Sequence, residues 1–413
     1  MNTRHMPRLL AVAAGAVVSS VAYGAAGQEP DPNVPVTSRA RPDYDPLGIR
    51  ARGFLIFPSV TVQGAYDDNV LATNDNEEDD YIFTFSPQIA VRSNFPRHSL
   101  NFTVQSDVGR YVDHTNEDFW DYGATLGGRL DITRDNRLTA VAAVGREHES
   151  RDDPDDPGAD VANEPVEYYV FTGQVGFEQD FNRFNVGLLG TFDRNDYQEQ
   201  GQDSNEDERD RNLFGGRLRT GYFISPRINA FVQGGVEREQ RDASNKSGRD
   251  NNVYSAAVGT AIDITALFFG EVFVGWSLQE YDESDFDAED GLNYGVNLTW
   301  NPTALTSLRL NGGGGFTPSS VGSSNLESQI GLRVDHELLR NVLIGGHIRY
   351  TRDDFQNSSG RVDNRFDVGP DVTYLINRHL SVGAGYVFTK QDSDDNEEEF
   401  TRNVISLRLT AQL

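Results

Sequence analysis

The end of the chain, Asn403–Leu413, alternates residue by residue between two kinds of side chain. One face of this segment carries isoleucine, leucine and alanine, and the other carries valine, serine, arginine, threonine and glutamine. Because successive side chains of a β-strand point to opposite faces, the pattern predicts a strand that is apolar on one side and mainly polar on the other. Such a strand suits a barrel wall that has lipid outside and water inside.

The same period of two repeats from Phe57 to the C-terminus. Short turns alternate with longer loops rich in Asp, Glu and Asn, and together they predict about 18 antiparallel strands of about 10 to 13 residues. A water-soluble sandwich or propeller is the alternative, but neither a domain-sized division nor a repeated blade motif is present in the sequence. We therefore predict an all-β fold, a transmembrane antiparallel up-and-down β-barrel over residues 53–413. The short turns are expected in the periplasm and the long loops outside the cell.

Export of the chain is predicted by its N-terminus and its composition. In residues 1–26, Arg4 and Arg8 precede the small-residue apolar run Leu9–Val21, which is typical of a signal peptide. A membrane-anchoring helix is the alternative interpretation of this segment. The 413 residues include no cysteine, which fits an oxidising compartment. After the leader no apolar run approaches the roughly 18 residues of a membrane-spanning helix.

Residues 27–52 are predicted to form a periplasmic N-terminal arm. The segment is rich in proline and carries a cluster of arginines at positions 39, 41, 50 and 52. Three interpretations remain open for it. It is a disordered linker, a docking arm for a periplasmic partner such as an export component, or a partial plug whose arginines pair with acids of the barrel interior.

The segment Arg41–Val70 contains three short motifs, made up of Tyr44, Asp45, Pro46, Gly48, Gly53, Phe54, Pro58, Tyr66, Asp67, Asp68 and Asn69. In these residues the segment resembles the putative β-barrel porin type 2 family of bacterial outer-membrane proteins. The resemblance implies an outer-membrane barrel over most of the chain and an association with exopolysaccharide production. The last residue is Leu413, whereas such barrels commonly end in an aromatic residue. We therefore expect the barrel assembly machinery to recognise the alternating pattern as a whole.

Charged residues on the polar faces of the predicted strands are the candidate pore lining. Those that we select are Arg92, Arg129, Arg217, Arg219, Arg309, Arg333, Arg349, Asp107, Glu271 and Asp335. Facing lipid, an Arg would cost about 2–4 kcal/mol at the membrane midplane, so an inward position is favoured. Inward charges filter solutes by charge and size. The alternative is that the same residues form cross-strand ion pairs that stiffen the wall.

Two features of the predicted external loops suggest further roles. The proline-containing loop His148–Glu164 is the candidate to fold into the barrel, although an external, solvated loop is the alternative. Acidic runs in the loops are expected to attract cations to the mouth and to contact lipopolysaccharide through Ca²⁺ or Mg²⁺. Asp392 and Asp394 are weak candidates for such a metal site, because Glu397 stands where a calcium loop needs glycine.

The sequence thus predicts an outer-membrane, porin-like passive channel for small hydrophilic solutes or ions. The alternative is an accessory outer-membrane component of exopolysaccharide export or biosynthesis. A barrel enzyme is a remote third possibility, because no strand aligns a histidine, a serine and an acid near a rim. We predict no enzymatic activity, no cofactor and no nucleic-acid partner. The expected partners are outer-membrane lipid, lipopolysaccharide and the barrel assembly machinery.

Overall fold

The computed structural model of the chain describes residues 34–153, 163–198, 209–241, 250–265, 267–283, 286–319, 324–356 and 360–413. The predicted signal peptide and residues 27–33 of the arm lie outside these ranges. The described chain is mainly antiparallel β-structure in one sheet. The strands are β1 Ile49–Ala51, β2 Phe54–Asp67, β3 Asp80–Ser93, β4 Ser99–Tyr111, β5 Phe119–Asp131, β6 Asn136–His148, β7 Glu167–Phe181, β8 Phe184–Tyr197, β9 Arg211–Ser225, β10 Ile228–Arg241, β11 Asn251–Thr265, β12 Phe268–Tyr281, β13 Glu289–Thr303, β14 Thr306–Thr317, β15 Ser324–Leu339, β16 Val342–Gln356, β17 Val362–Asn377, β18 Leu380–Ser393 and β19 Phe400–Gln412.

The sheet closes on itself. From β2 to β19 each strand pairs with the next one along the chain, and β19 then pairs with β2, from Val404 opposite Asp67 to Gln412 opposite Ser59. The short strand β1 pairs only with β2. The prediction of an all-β, closed, 18-stranded antiparallel barrel is confirmed. Among the described residues no helix is long and apolar enough to cross a membrane.

Most barrel strands are longer than the 10 to 13 residues that the sequence pattern predicted. They run from 12 residues in β14 to 16 residues in β15 and β17. At about 3.3 Å per residue and a tilt near 45°, a strand of about 14 residues spans roughly 33 Å, more than the apolar band of about 25 Å. The strands therefore continue beyond the membrane into regions that were predicted as loops. Asp193 in β8 and Glu280 in β12 are acidic residues, of the kind expected in the long loops, that lie in these strand extensions.

One face of the barrel wall is apolar and exposed, as residues of every region of the sheet show. Examples are Val62, Phe83, Phe102, Leu126, Leu188, Val274, Leu332 and Leu407. The buried residues of the strands belong mainly to the opposite face and are mostly polar or charged. Soluble proteins rarely expose a contiguous apolar patch above a few hundred Å², so a continuous apolar band around the outside requires lipid. The core of this protein is therefore a polar interior enclosed by one sheet.

The first family motifs close the seam at its turn side. At the start of β2, where β19 has already ended, β1 covers the free edge by pairing Ala51 with Phe54. Pro58 lies between the part of β2 that pairs with β1 and the part that pairs with β19. Its carbonyl accepts a 3.2 Å hydrogen bond from the nitrogen of Leu413. Within an extended strand the N–H and C=O of one residue point to the same side. The missing N–H of proline therefore falls at the end of the seam, where it leaves no ladder bond unmade.

The Tyr66–Asn69 motif fastens the other end of the seam. Asp68 accepts hydrogen bonds from the backbone nitrogen and side-chain amide of Asn403, at 2.6 and 2.7 Å. Asn69 donates from its amide to the carbonyl oxygens of Thr73 and Thr401, at 2.8 and 3.0 Å. These contacts join the first loop to the last strand. The motif residues thus hold the two ends of the chain's barrel together.

Candidate functional site

The strand register places every predicted pore-lining residue on the inner face. On β3, Arg92 alternates with the exposed apolar residues Phe83 and Ile89, and the same parity holds for the other strands. The inward set comprises Arg92, Arg129, Arg217, Arg219, Arg309, Arg333, Arg349, Asp107, Glu271 and Asp335.

Arg309, Arg333, Asp335 and Asp371 form one ion-pair chain on the inner wall of β14, β15 and β17. Asp335 is almost fully buried and accepts from Arg309 at 2.8 Å and from Arg333 at 2.9 Å. Arg333 also lies 2.9 Å from a carboxylate oxygen of Asp371. Gly345 leaves room for this contact, because a Cβ there would lie 2.7 Å from the Arg333 guanidinium. These charges neutralise one another and stiffen this part of the wall.

A second ion pair crosses the wall from β9 to β12. Arg219 donates to both carboxylate oxygens of Glu271, at 2.8 and 3.0 Å, and to the side-chain oxygen of Gln233, at 2.6 and 3.1 Å. Its guanidinium carbon lies 4.0 Å from the centre of the Phe231 ring. A bidentate pair with a stacked aromatic uses the planar geometry that distinguishes arginine from lysine. Arg219 is thus fully committed to the wall.

The other predicted residues differ in their surroundings. Arg92 lies 5.3 Å from the centre of the Phe57 ring, and Arg129 pairs with Asp131 at 3.1 Å. Asp107 accepts a hydrogen bond from Ser86. Arg217, Arg349 and Arg408 are inward arginines of the barrel strands that make no ion pair within the described part of the chain.

The start of the predicted inward loop lies against distant strands. After β6 ends, Asp152 reaches β17 and β19, where its carboxylate pairs with Arg365 and lies 3.4 Å from Arg402. The backbone carbonyl of Asp152 also accepts a 2.8 Å hydrogen bond from Arg365. Because β6 is several strands away from β19 around the barrel, residues 149–153 extend across the outer mouth. We call residues 149–153 the mouth segment; residues 154–162 of the predicted loop lie outside the described ranges.

Two further ion pairs anchor the mouth segment. Arg151 makes a bidentate pair with Glu117 of the loop before β5, with both distances at 2.9 Å and both side chains almost completely buried. Glu149 pairs with Arg209, which precedes β9. Buried charges persist only when they are paired and hydrogen bonded. The mouth segment is therefore held on three sides.

The charge state of Asp152 follows from this arrangement. Burial alone would raise the pKa of its carboxyl group, but the guanidinium groups of Arg365 and Arg402 lower that pKa well below its ordinary range. The lowering agrees with the ion-pair geometry, since an adjacent cation favours the charged form. Asp152 is consequently ionised at every physiological pH.

The described part of the arm lies against the turn-side end of the barrel. The nitrogen of Val36, which is fully buried, donates a 2.7 Å hydrogen bond to Ser307 of β14. Arg41 pairs with Glu337 of β15 at 2.8 Å and also donates to the carbonyl of Val36. Ser307 and Glu337 both belong to the inner face by register. The arm thus contacts the wall in the way that the plug interpretation requires.

The first family motif shapes the arm where it enters β1. The backbone nitrogens of Tyr44 and Asp45 donate to the carbonyl of Arg41, so the motif begins with a turn. Gly48 has a φ of +69°, and a Cβ there would lie 2.6 Å from the Phe57 ring. Only glycine accepts both the positive φ and this close approach without strain. The motif residues therefore direct the chain from the rim into the first strand.

The weak metal candidates do not form a site. Asp392 pairs with Lys390 at 2.7 Å, and both side chains are exposed. Among the described residues no group of three or more His, Cys, Asp and Glu side chains is placed to hold a metal ion.

Sequence reasoning missed the partners of the mouth segment. Arg365 and Arg402 are both inward by parity, but neither was selected, because a period of two does not show which inward charges meet across the barrel. The prolines that singled out this loop in the sequence lie among residues 154–162, outside the described ranges. A usable signal was the inward parity of Arg365 and Arg402 at the loop ends of β17 and β19.

Comparison with known proteins identifies the family. The family model described as Putative beta-barrel porin 2 matches residues 41–413. Comparison with curated proteins gave no match. Among solved structures, OpdL of Pseudomonas aeruginosa is 11% identical, with 88% of this chain and 99% of that chain covered and a TM-score of 0.45. A BenF-like porin from Pseudomonas fluorescens Pf-5 is 10% identical, with 87% and 99% covered and a TM-score of 0.46. The ferric enterobactin receptor PfeA of P. aeruginosa is 8% identical, with 87% and 80% covered and a TM-score of 0.45.

These solved structures are similar to the chain in fold alone, and no solute is inferred from them. Barrels of the matched porin type are typically transport proteins without enzymatic activity. The protein is an outer-membrane β-barrel, and by the match over residues 41–413 it belongs to the Putative beta-barrel porin 2 family.

Proposed function

We propose that the protein is a passive outer-membrane channel for small hydrophilic solutes or ions, narrowed at its outer mouth by the mouth segment. The observation that carries this proposal is the contact of Asp152 with Arg365 and Arg402. An 18-stranded barrel is wide enough to enclose an aqueous passage unless a loop or plug fills it. A short segment fastened across such a mouth leaves part of the passage free and limits the size of what passes.

The charges of the inner face support the same proposal. Inward acids and arginines are paired along the wall, so their positions are fixed before any solute arrives. Fixed charges act on a passing solute through their field without forming a covalent bond. The arm adds a second constriction at the turn side through Arg41 and Glu337. We therefore propose a passage restricted at both ends.

Two inward aromatic residues, Phe231 and Phe355, favour this function over polysaccharide conduction. A path for sugars needs free aromatic faces on which successive rings can stack. Here Arg219 covers Phe231 at 4.0 Å, and Arg361 lies 4.2 Å from the centre of the Phe355 ring. Phe231 and Phe355 are both buried as a result. An accessory role in exopolysaccharide export would then depend on partners of the arm rather than on the lumen.

Single-channel recording tests the proposal. Protein purified from outer membranes is reconstituted in planar bilayers, and conductance and reversal potential are measured in a salt gradient. We expect discrete conductance steps, which the same protein denatured by heat before reconstitution does not produce. A folded protein that remains silent in repeated insertions would refute the channel.

A further inference from the structure

Arg349 and Arg408 are inward arginines that are exposed to the interior and make no ion pair within the described residues. In the barrel strands β2 to β19, the charged residues that the register turns inward and that are exposed, within the described ranges, are Arg349, Arg408, Glu178 and Asp263. Glu178 is paired with Arg137, and Asp263 lies at a periplasmic turn. The two exposed inward charges that are unpaired and lie away from the turns are therefore the arginines Arg349 and Arg408, and both are positive.

Arg408 has uncharged neighbours on both sides. Its register partners are Gly383 of β18 and Gln63 of β2. The hydrogen bond that its guanidinium makes is a long one, 3.4 Å, to the hydroxyl of Thr373. Gly383 leaves room for the side chain, because a Cβ there would lie 2.4 Å from its Nε. Most donors of this guanidinium therefore face the interior.

Arg349 has acidic neighbours, but they are engaged elsewhere or too far for an ion pair. Its register partner Asp367 is buried and accepts from Thr389 at 2.8 Å and from Arg365 at 3.4 Å. Glu327 acts on Arg349 electrostatically without coming within ion-pair distance. Arg349 thus keeps its donors available to a solute.

We infer that Arg349 and Arg408 bind the oxyanion group of small carboxylate- or phosphate-bearing solutes during passage. This inference rests on the proposed channel function and adds a solute class to it. A guanidinium presents its donors in a planar fork that matches the oxygens of carboxylates and phosphates. The conditions for such binding are unpaired arginines and access to water, and both residues meet them.

The strongly negative chain does not cancel this local preference. The formal net charge is −28, and acidic external loops were predicted to attract cations. At physiological ionic strength, however, exposed charges are screened beyond about 8 Å, so the loops act on the mouth and not on the middle of the barrel. The inward acids Glu271 and Asp335 are neutralised by their arginine partners. The charge that a solute meets midway is therefore set by local unpaired groups.

Reversal potentials of substituted channels test the inference. The double variant Arg349→Ala with Arg408→Ala is compared with Arg352→Ala, which removes an exposed arginine from the outer face of the same strand, where it pairs with Asp354. At low ionic strength, two unit charges about 10 Å from a passing ion should favour an anion and disfavour a cation by about four-fold each, so they should change the anion-to-cation permeability ratio by about 16-fold. We expect the double variant to lose that factor and Arg352→Ala to keep the ratio of the unsubstituted protein.

A blocking experiment separates the two sources of the oxyanion. Succinate and inorganic phosphate are added in separate runs while chloride current is recorded. We expect either anion to reduce the current of the unsubstituted channel and to lose this effect in the double variant; block by one alone would assign the site to that chemistry. A conducting protein whose permeability ratio and block are the same in the double variant would overturn the inference and leave the channel standing. A silent protein would overturn both proposals.

Discussion

Replacing Asp152 by asparagine should loosen the mouth segment without unfolding the barrel. The substitution keeps the shape of the side chain and removes its charge. Arg365 and Arg402 do not become unpaired, because Arg365 keeps Asp367 at 3.4 Å and Arg402 keeps Asp67, to which its Nε donates at 2.8 Å. The cost is therefore below the 3–5 kcal/mol of a buried charge left alone, and we expect about 1.5–3 kcal/mol, the range for hydrogen bonds to charged groups.

That free energy favours release of the mouth segment by a factor of roughly 10 to 150, since about 1.4 kcal/mol corresponds to a tenfold change. Single-channel recording is the assay. Asp152→Asn should give a larger mean conductance or frequent transitions to a larger conductance level. Asp282→Asn is the matched control, because its partner Arg238 holds it in an exposed external pair 2.6 Å long, worth about 0–1 kcal/mol. Identical traces from Asp152→Asn and the unsubstituted channel would show that the mouth segment does not border the path.

The pKa of Asp152 gives the same contact a defined pH dependence. Because its pKa is lowered in the docked state, the stabilisation is present above the ordinary carboxyl pKa of about 3.9 and is lost as pH falls through the lowered value. Conductance should then be constant from pH 7 to about pH 4, because the Asp152 carboxyl group stays ionised over this range. Opening near pH 6 would contradict the assignment, since it would require a group that titrates in that range.

Two further substitutions probe the ends of the barrel. Glu337→Gln removes the charged partner of Arg41, whose side chain is nine-tenths buried, and should release the arm from the wall. We expect faster protease cleavage within the arm and a larger conductance. Unchanged cleavage would refute the plug contact. Asp68→Ala removes two hydrogen bonds to Asn403, which should lower the stability of the barrel by about 2–3 kcal/mol. We therefore expect the barrel to unfold at a lower temperature in a heat-modifiability gel. Asp75→Ala, an exposed acid in the same loop, should leave that temperature unchanged.

The wall of the barrel could be predicted from the sequence because its determinants are local. In Asn403–Leu413, each side chain's face follows from its parity, and the register of β19 with β2 keeps that assignment. A shift by one residue would turn every apolar side chain of the strand inward, so a strong pattern specifies the register. The strand ends were less well predicted. Residues such as Asp193 are polar enough to suit either a loop or a strand that rises above the membrane.

The partners of the inward charges were decided only by the tertiary structure. Sequence parity placed Arg219 and Arg349 on the same face, yet one is bound to Glu271 and the other is exposed. Asp152 meets Arg365 more than two hundred residues later in the chain, which no period of two can foresee. Sequence alone determined a two-sided wall, because alternation is a property of each strand. Closure of the sheet decided which charges neutralise one another and which remain free, because only closure brings distant strands within the reach of one side chain.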